Sequence, residues 1–178
     1  SMIHIHTLGP AGTNCEKAAI EYLGRFDGEG CIHLHPTLED AVDEMMRKAD
    51  ESVLLGCVVY PKLHEIVFRN LGRLRITDCF VVDTYEMVFA STKPRLADIR
   101  TVGTHPAPEN LVVLMEGLRD VEVVHCDSNA AAARLCAAGR YDACVTTLAA
   151  AREHGIGVHR SFGPVPMGFS IHAKEARP

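Results

Sequence analysis

Three short stretches set hydroxyl, amide and thiol groups between a β-like run and a helical one, where backbone donors can hold an anion. In "HTLGPAGTNCEKAA", residues 6–19, Thr13 and Glu16 fit a capping box, with the Thr13 hydroxyl accepting from the Glu16 amide while Glu16 reaches back. Gly9 and Gly12 fall in the turn before it, where a chain bends tightly or approaches a ligand. The amides of Asn14 and Cys15 then project toward a negative charge, with the helix dipole behind them. "VGTHPAPEN" repeats the construction with Thr104, His105 and Pro106, and "HCDSNAAAARL" with Asp127, Ser128 and Asn129. The plain alternative is three well-made helix starts, since "TLED" at 37–40 has the same capping pattern. Helix starts at strand ends converge on one crevice in an open α/β sheet, enough to hold a small dianion.

Two other groups could do chemistry. "IHIHT" and "CIHLHP" each carry His-x-His, which on a strand places both rings on one face, within the repertoire of a zinc site. No acidic residue adjoins either pair in sequence and both sit early in their strands, so packing histidines and no metal are expected. Cys15, beside a helix start, could carry a lowered pKa, but the sequence places no base beside it, which favours a cleft-lining role over a nucleophile. Seven cysteines without a C-x-x-C spacing read as reduced thiols. Cys31, Cys57, Cys79 and Cys144 fall in predicted strands and read as small core residues. Neither a P-loop nor G-x-G-x-x-G is present, so no nucleotide and no cofactor are expected.

These groups must be positioned by a chain of 178 residues, 47% hydrophobic, with formal net charge −5, which disfavours nucleic acid as a partner. Ser1 and Met2 read as a cloning scar and an initiator, and no secretory signal or long apolar span is visible, so a cytoplasmic protein with no membrane partner is expected. Strands are predicted at 3–7, 31–35, 53–59, 75–82, 86–90, 101–104, 121–126, 142–146 and 168–173. Helices are predicted at 14–24, 38–49, 62–71, 107–118, 129–138 and 147–154. The alternation predicts an α/β fold with largely parallel strands. The proline-broken "SFGPVPM" could carry the chain from a second lobe back to the first.

Read together, these segments resemble the catalytic domain of the prephenate dehydratase family almost end to end. "LGPAGTNCEKAA" resembles its G-P-x-G-T-x-S opening, "THPAPENL" its S-H-P-Q segment, and "SNAAAARLCAAGRYDACVTTLAAAREHGI" its S-T-A-x-A-A segment with the following strand and helix. The resemblance implies two lobes of mixed, mostly parallel sheet flanked by helices, like type II periplasmic binding proteins, with substrate between them. It sets lobe 1 at 1–84 plus 164–178 and lobe 2 at 85–163, one catalytic unit without the regulatory domain that often follows.

Two departures fall on the family's active site. Its T-R-F motif on the returning strand is here Met167, Gly168 and Phe169, and neither Met nor Gly can donate a proton or pair with a carboxylate. Its E-N-S segment is replaced by "GCVVYPKLHEIVFRN", which brings Tyr60, His64 and Arg69. With T-N-C-E in the first motif, this resembles the non-aromatising prephenate decarboxylases of bacilysin-type antibiotic and dihydrotyrosine biosynthesis. The resemblance implies loss of CO2 from prephenate, protonation of the ring diene and retention of the ring hydroxyl. The alternatives are a dehydratase giving phenylpyruvate, with displaced groups such as Thr146 or Thr147, and a non-catalytic binding module for a small anion.

Such a site needs a proton source, for which His64, Tyr60 and His105 are the catalytic candidates. Substrate binding is assigned to Thr13, Asn14, Cys15, Thr104, Ser128, Asn129, Thr146, Met167, Gly168 and Phe169. A homodimer follows from the family resemblance alone.

Overall fold

The computed structural model describes residues 2–175. The chain divides into two compact units: residues up to Asp83 together with those from Pro166 on form unit 1, and Thr84–Val165 form unit 2.

Unit 1 is built on β1 (Ile3–Leu8), β2 (Gly30–His35), β3 (Ser52–Cys57), β4 (Leu74–Asp83) and β10 (Pro166–Lys174), ordered β2-β1-β3-β10-β4. β1 pairs in parallel with β2 and β3, whereas β10 runs antiparallel to both β3 and β4. Alternation along β1 sends Ile3 and Ile5 to one face, where Ala18, Ala19 and Tyr22 of α1 (Asn14–Leu23) cover them together with Phe169 and Ile171. On α2 (Leu38–Arg47) the buried residues Leu38, Ala41, Val42 and Met45 recur at helical spacing and pack with Leu54, and with Ile66 of α3 (Leu63–Arg69). Both faces of the sheet are therefore covered.

Unit 2 carries β5 (Met87–Ser91), β6 (Thr101–Thr104), β7 (Glu122–His125), β8 (Ala143–Thr147) and β9 (Gly157–Gly163), ordered β7-β6-β8-β5-β9. Here β6 pairs in parallel with β7 and β8, and β5, in the fourth position, runs antiparallel to both β8 and β9. Helices α4 (Asn129–Ala137) and α5 (Leu148–Glu153) bury Ala132, Ala133, Cys136, Ala150 and Ala151 against Val88, Ala90 and Cys144. Alanine allows close approach of helix to sheet, and the alanine-rich sequence forms helix readily.

Two sequence expectations are corrected. The helix predicted at 107–118 is a 3-10 segment, Glu109–Leu114, because Pro106 and Pro108 supply no amide and bend the entry, and only Val112 of this segment is buried. The stretch before the returning strand holds an unanticipated strand, β9, whose exposed-and-buried pattern lacks the strict alternation that would mark it. Among the cysteines read as core, Cys144 is buried, Cys31 and Cys57 are half-buried, and Cys79 is exposed on β4, which lies at the sheet edge.

Candidate active site

The turn from β1 into α1 is set by side chains. Thr13 caps α1 by accepting from the Glu16 amide at 3.4 Å, and its hydroxyl lies 3.4 Å from the Leu8 carbonyl, to which it donates. Glu16 reaches back to the amide of Gly12 at 2.9 Å, one residue earlier than the expected capping box. Gly12 has φ +85°, a left-handed conformation that spares a side chain its strain. The Gly9 amide donates to the His35 carbonyl at 2.7 Å and ties the turn to β2. Asn14 opens the helix. Cys15 is buried and hydrogen-bonded to Cys57; that bond and its burial push its thiol above the ordinary range, so the lowered pKa expected from the helix start is not found.

The turn after β3 brings Tyr60 to Glu39 of α2, and Tyr60 Oη donates to Glu39 Oε2 at 2.7 Å. Burial first, and the acidic neighbour second, push the phenol up to about 12, so it keeps its proton at neutral pH. Tyr60 and Glu39 line a depression of about 480 Å³ with Pro61, Lys62, Glu65 and Arg69. Its two cations face two carboxylates, one of them paired as Arg69–Glu65 at 3.8 Å. His64 is exposed near the start of α3, does not line that depression, and makes no hydrogen bond or ion pair with the described residues.

On the returning strand, Met167 is half-buried beside the α1-side core and pairs with Val82. Gly168 sits beneath Val58, whose two Cγ atoms would each lie 3.1 Å from a Cβ added at 168, and the Gly168 carbonyl accepts from the Val58 amide at 3.1 Å. The two departures noted in the sequence thus touch one another. Phe169 is corrected from a lining residue to a core residue: it is 1% exposed, with its ring centroid 6.0 Å from that of Phe80.

In unit 2, Thr104 and Thr146 are fully buried, so their side chains position neighbours rather than face open space. Thr146 Oγ1 donates to the Asn129 carbonyl at 2.6 Å, and Thr104 Oγ1 to the His105 carbonyl at 2.9 Å. Ser128 caps α4 by accepting from the Ala131 amide at 3.0 Å. Asn129 Oδ1 is buried without a hydrogen-bond partner among the described residues, the polar end of a side chain that a ligand would satisfy. His105 Nδ1 lies 3.4 Å from the Ala107 amide and accepts from it. Burial, then the neighbouring His125, hold its pKa below the usual histidine value against the opposing pull of Asp127. His125 is itself paired with Glu109.

With this geometry in hand, comparison with known proteins is decisive. The prephenate dehydratase family model matches residues 5–161. The chain belongs to the prephenate dehydratase family. Within sequence reach it is 27% identical to a prephenate decarboxylase of Bacillus subtilis strain 168 over 183 aligned residues, covering 97% of this chain and 87% of that protein. A prephenate decarboxylase of Bacillus amyloliquefaciens is 26% identical over the same shares of the two chains. Among solved structures, a prephenate dehydratase from Arthrobacter aurescens in complex with L-Phe superposes with TM-score 0.68 at 21% identity. That match covers 97% of this chain and 61% of the dehydratase's length. The VFT2 domain of Bordetella pertussis BvgS follows the same fold at TM-score 0.56 and 16% identity, covering 97% of this chain and 80% of that domain. Both assign the fold alone. No helix among the described residues is long and apolar enough to cross a membrane.

Two features escaped the sequence reading. Glu39, read only as part of a capping pattern, is the partner of Tyr60; 21 residues separate them, and no local spacing marks the pair. Val58, predicted inside a strand at 53–59, lies just beyond β3, is 54% exposed and covers Gly168.

Proposed function

We propose that this family member is a prephenate decarboxylase that keeps the ring hydroxyl and gives a dihydro-4-hydroxyphenylpyruvate. One observation carries the reading: at the position where the family's dehydratases are expected to supply a threonine and an arginine, Met167 and Gly168 offer no donor, and Val58 occupies the room a side chain at 168 would need. Support comes from the relatives named prephenate decarboxylase.

The chemistry follows from where the electrons can go. The bond between the quaternary ring carbon and its carboxylate breaks, CO2 leaves, and the electron pair enters the ring. In a dehydratase that pair expels hydroxide with the help of an acid and the ring becomes aromatic. General-acid assistance is worth about 10²–10⁴-fold, so its absence slows hydroxide loss selectively. The pair instead shifts through one ring alkene and takes a proton at the far carbon, forming a C–H bond. An apolar edge at Met167 and Gly168 suits a carboxylate whose charge disperses as CO2 forms.

Each assigned residue has a role in this scheme. In unit 1, Asn14 and Cys15 offer helix-start amides to a carboxylate or keto oxygen; in unit 2, Ser128 and Asn129 offer the same, together with the Asn129 side chain. Thr13 and the Ser128 hydroxyl fix those helix starts, Thr146 fixes Asn129, and Thr104 fixes His105. Tyr60, which lines the depression and donates its hydroxyl hydrogen to Glu39, is the proton donor we favour over His64, which does not line it, and over His105. The family resemblance adds a cytoplasmic homodimer serving antibiotic-type secondary metabolism. Incubation with prephenate followed by mass and ultraviolet analysis tests the function: CO2 release with a product that retains the hydroxyl oxygen is expected. Phenylpyruvate as main product, or saturable binding without turnover, overturns it.

A further inference from the structure

The amino-terminal ends of β1 and β2 carry a feature that the proposed chemistry does not use. In parallel register His4 lies opposite Cys31 and His6 opposite His33, so four imidazoles and a thiol share one face of two neighbouring strands. His4 Nδ1 is 2.9 Å from His33 Nε2, with ring centroids 5.2 Å apart and planes within 23°. These distances set the rings edge to edge, with the two nitrogens facing each other along the line between them and one carrying the shared hydrogen. Cys31 Sγ completes a triad whose ligand atoms all lie within 4.8 Å of one another. Met2 Sδ is 3.5 Å from Cys31 Sγ.

From this cluster we propose a binding site for a zinc-class transition-metal ion, formed by His4 Nδ1, His33 Nε2 and Cys31 Sγ, with the fourth position open to water or to the Met2 thioether. Two imidazoles and a thiolate are the donor set such ions prefer, whereas calcium and magnesium demand oxygen. A tetrahedral zinc with Zn–N bonds near 2.0–2.1 Å holds two nitrogens about 3.3 Å apart, so the His4–His33 gap must open by about 0.4 Å and each ring must turn about 35° off the line that now joins them. An acidic group lies nearby as well. Asp50 Oδ2 lies 3.9 Å from His4 Nε2, the nitrogen left over when Nδ1 binds metal, within ion-pair reach but about 1 Å too far for the hydrogen bond by which a carboxylate orients a ligand ring. Asp50 Oδ1 is buried without a hydrogen bond among the described residues and lies 3.8 Å from the Lys174 ammonium. This carboxylate overturns the sequence argument that no acidic group accompanies the histidine pairs. On binding, the proton shared between the two rings moves to the far nitrogen of the ring that carried it. The Cys31 thiol releases one proton to solvent, and no redox change occurs.

The site lies at the strand ends away from the α1 start, so its effect is to clip β1 to β2. The test uses the whole chain stripped with a chelator and titrated with Co²⁺, then Zn²⁺. One Co²⁺ per chain with a thiolate-to-cobalt charge-transfer band, displaced by Zn²⁺, is expected. Zn²⁺ at 100 times Kd should raise Tm by about 5–10 °C. Cys31→Ser should abolish the band and the shift, and His33→Ala should weaken binding at least tenfold. Cys79→Ser, which removes the exposed thiol of β4, should change neither. A band that survives Cys31→Ser, loss on Cys79→Ser, or no binding by a folded chain overturns the proposal.

Discussion

The two units share a sheet plan and differ in what they put on it. In each, three parallel strands are followed by one that is antiparallel to both neighbours: β10 in unit 1 and β5 in unit 2. Both of these strands bury a phenylalanine completely, Phe169 at 1% and Phe89 at 0%. Each unit also sets two cysteines side by side, Cys15 with the half-buried Cys57 and the buried pair Cys136 and Cys144. The strands diverge on their other residues. β5 reads Met-Val-Phe-Ala-Ser and is buried throughout, whereas β10 carries Gly168, Ser170 and His172 on the face opposite Phe169. Unit 2 keeps its family-like helix starts, while the departures gather on two touching segments of unit 1, Cys57–Tyr60 and Met167–Phe169. A shared sheet plan thus tolerates a polar face in one copy, and chemistry changes by local replacement without altering the plan.

The comparison can be broken in several ways. The largest effect should come from the shared part: Phe169→Ala and Phe89→Ala should each destabilise the chain by about 3–5 kcal/mol in denaturant unfolding, since both leave a cavity in a closed core. A loss under about 1 kcal/mol at only one of them would show that the two strands are not equivalent. Next is Tyr60→Phe, which should lower kcat about 10²-fold in a prephenate turnover assay while KM changes little. A rise in KM with kcat unchanged would assign Tyr60 to binding. Gly168→Arg alone should cost about 1–3 kcal/mol by crowding Val58, and Val58→Ala should recover most of that cost. Met167→Thr with Gly168→Arg and Val58→Ala should yield some phenylpyruvate, detectable by chromatography. The smallest effect concerns His172, which is 1% exposed, 2.8 Å from Ser170 Oγ and held below its usual pKa by burial. The folded chain keeps it neutral while the unfolded chain protonates it near 6.5, so its contribution is complete above that pH and is lost as pH falls below it. His172→Asn should flatten part of the acid-side slope of stability against pH.

Much of the fold was legible because its signals are local. The α2 stripe Leu38, Ala41, Val42, Met45 and the caps Thr13, Thr37 and Ser128 are written in spacing and residue type, and the structure shows each cap bonded three residues on. The 3-10 segment at Glu109–Leu114 was misread because "PAPENLVVL" has a helix-like apolar spacing that two prolines override. The candidate site was less legible. The replacement of donors by Met167 and Gly168 could be read directly, but its contact with Val58 could not, because it joins positions 110 residues apart. The same holds for Tyr60 with Glu39 and for His4 with Asp50: side-chain partners across a fold leave no periodic trace.

The central claim concerns the fate of the electron pair released with CO2, and turnover of prephenate in D2O followed by NMR reads it directly. The account predicts one deuterium on a ring carbon of a non-aromatic product that still bears its hydroxyl. An aromatic phenylpyruvate lacking ring deuterium, with the hydroxyl oxygen lost to solvent, would contradict it.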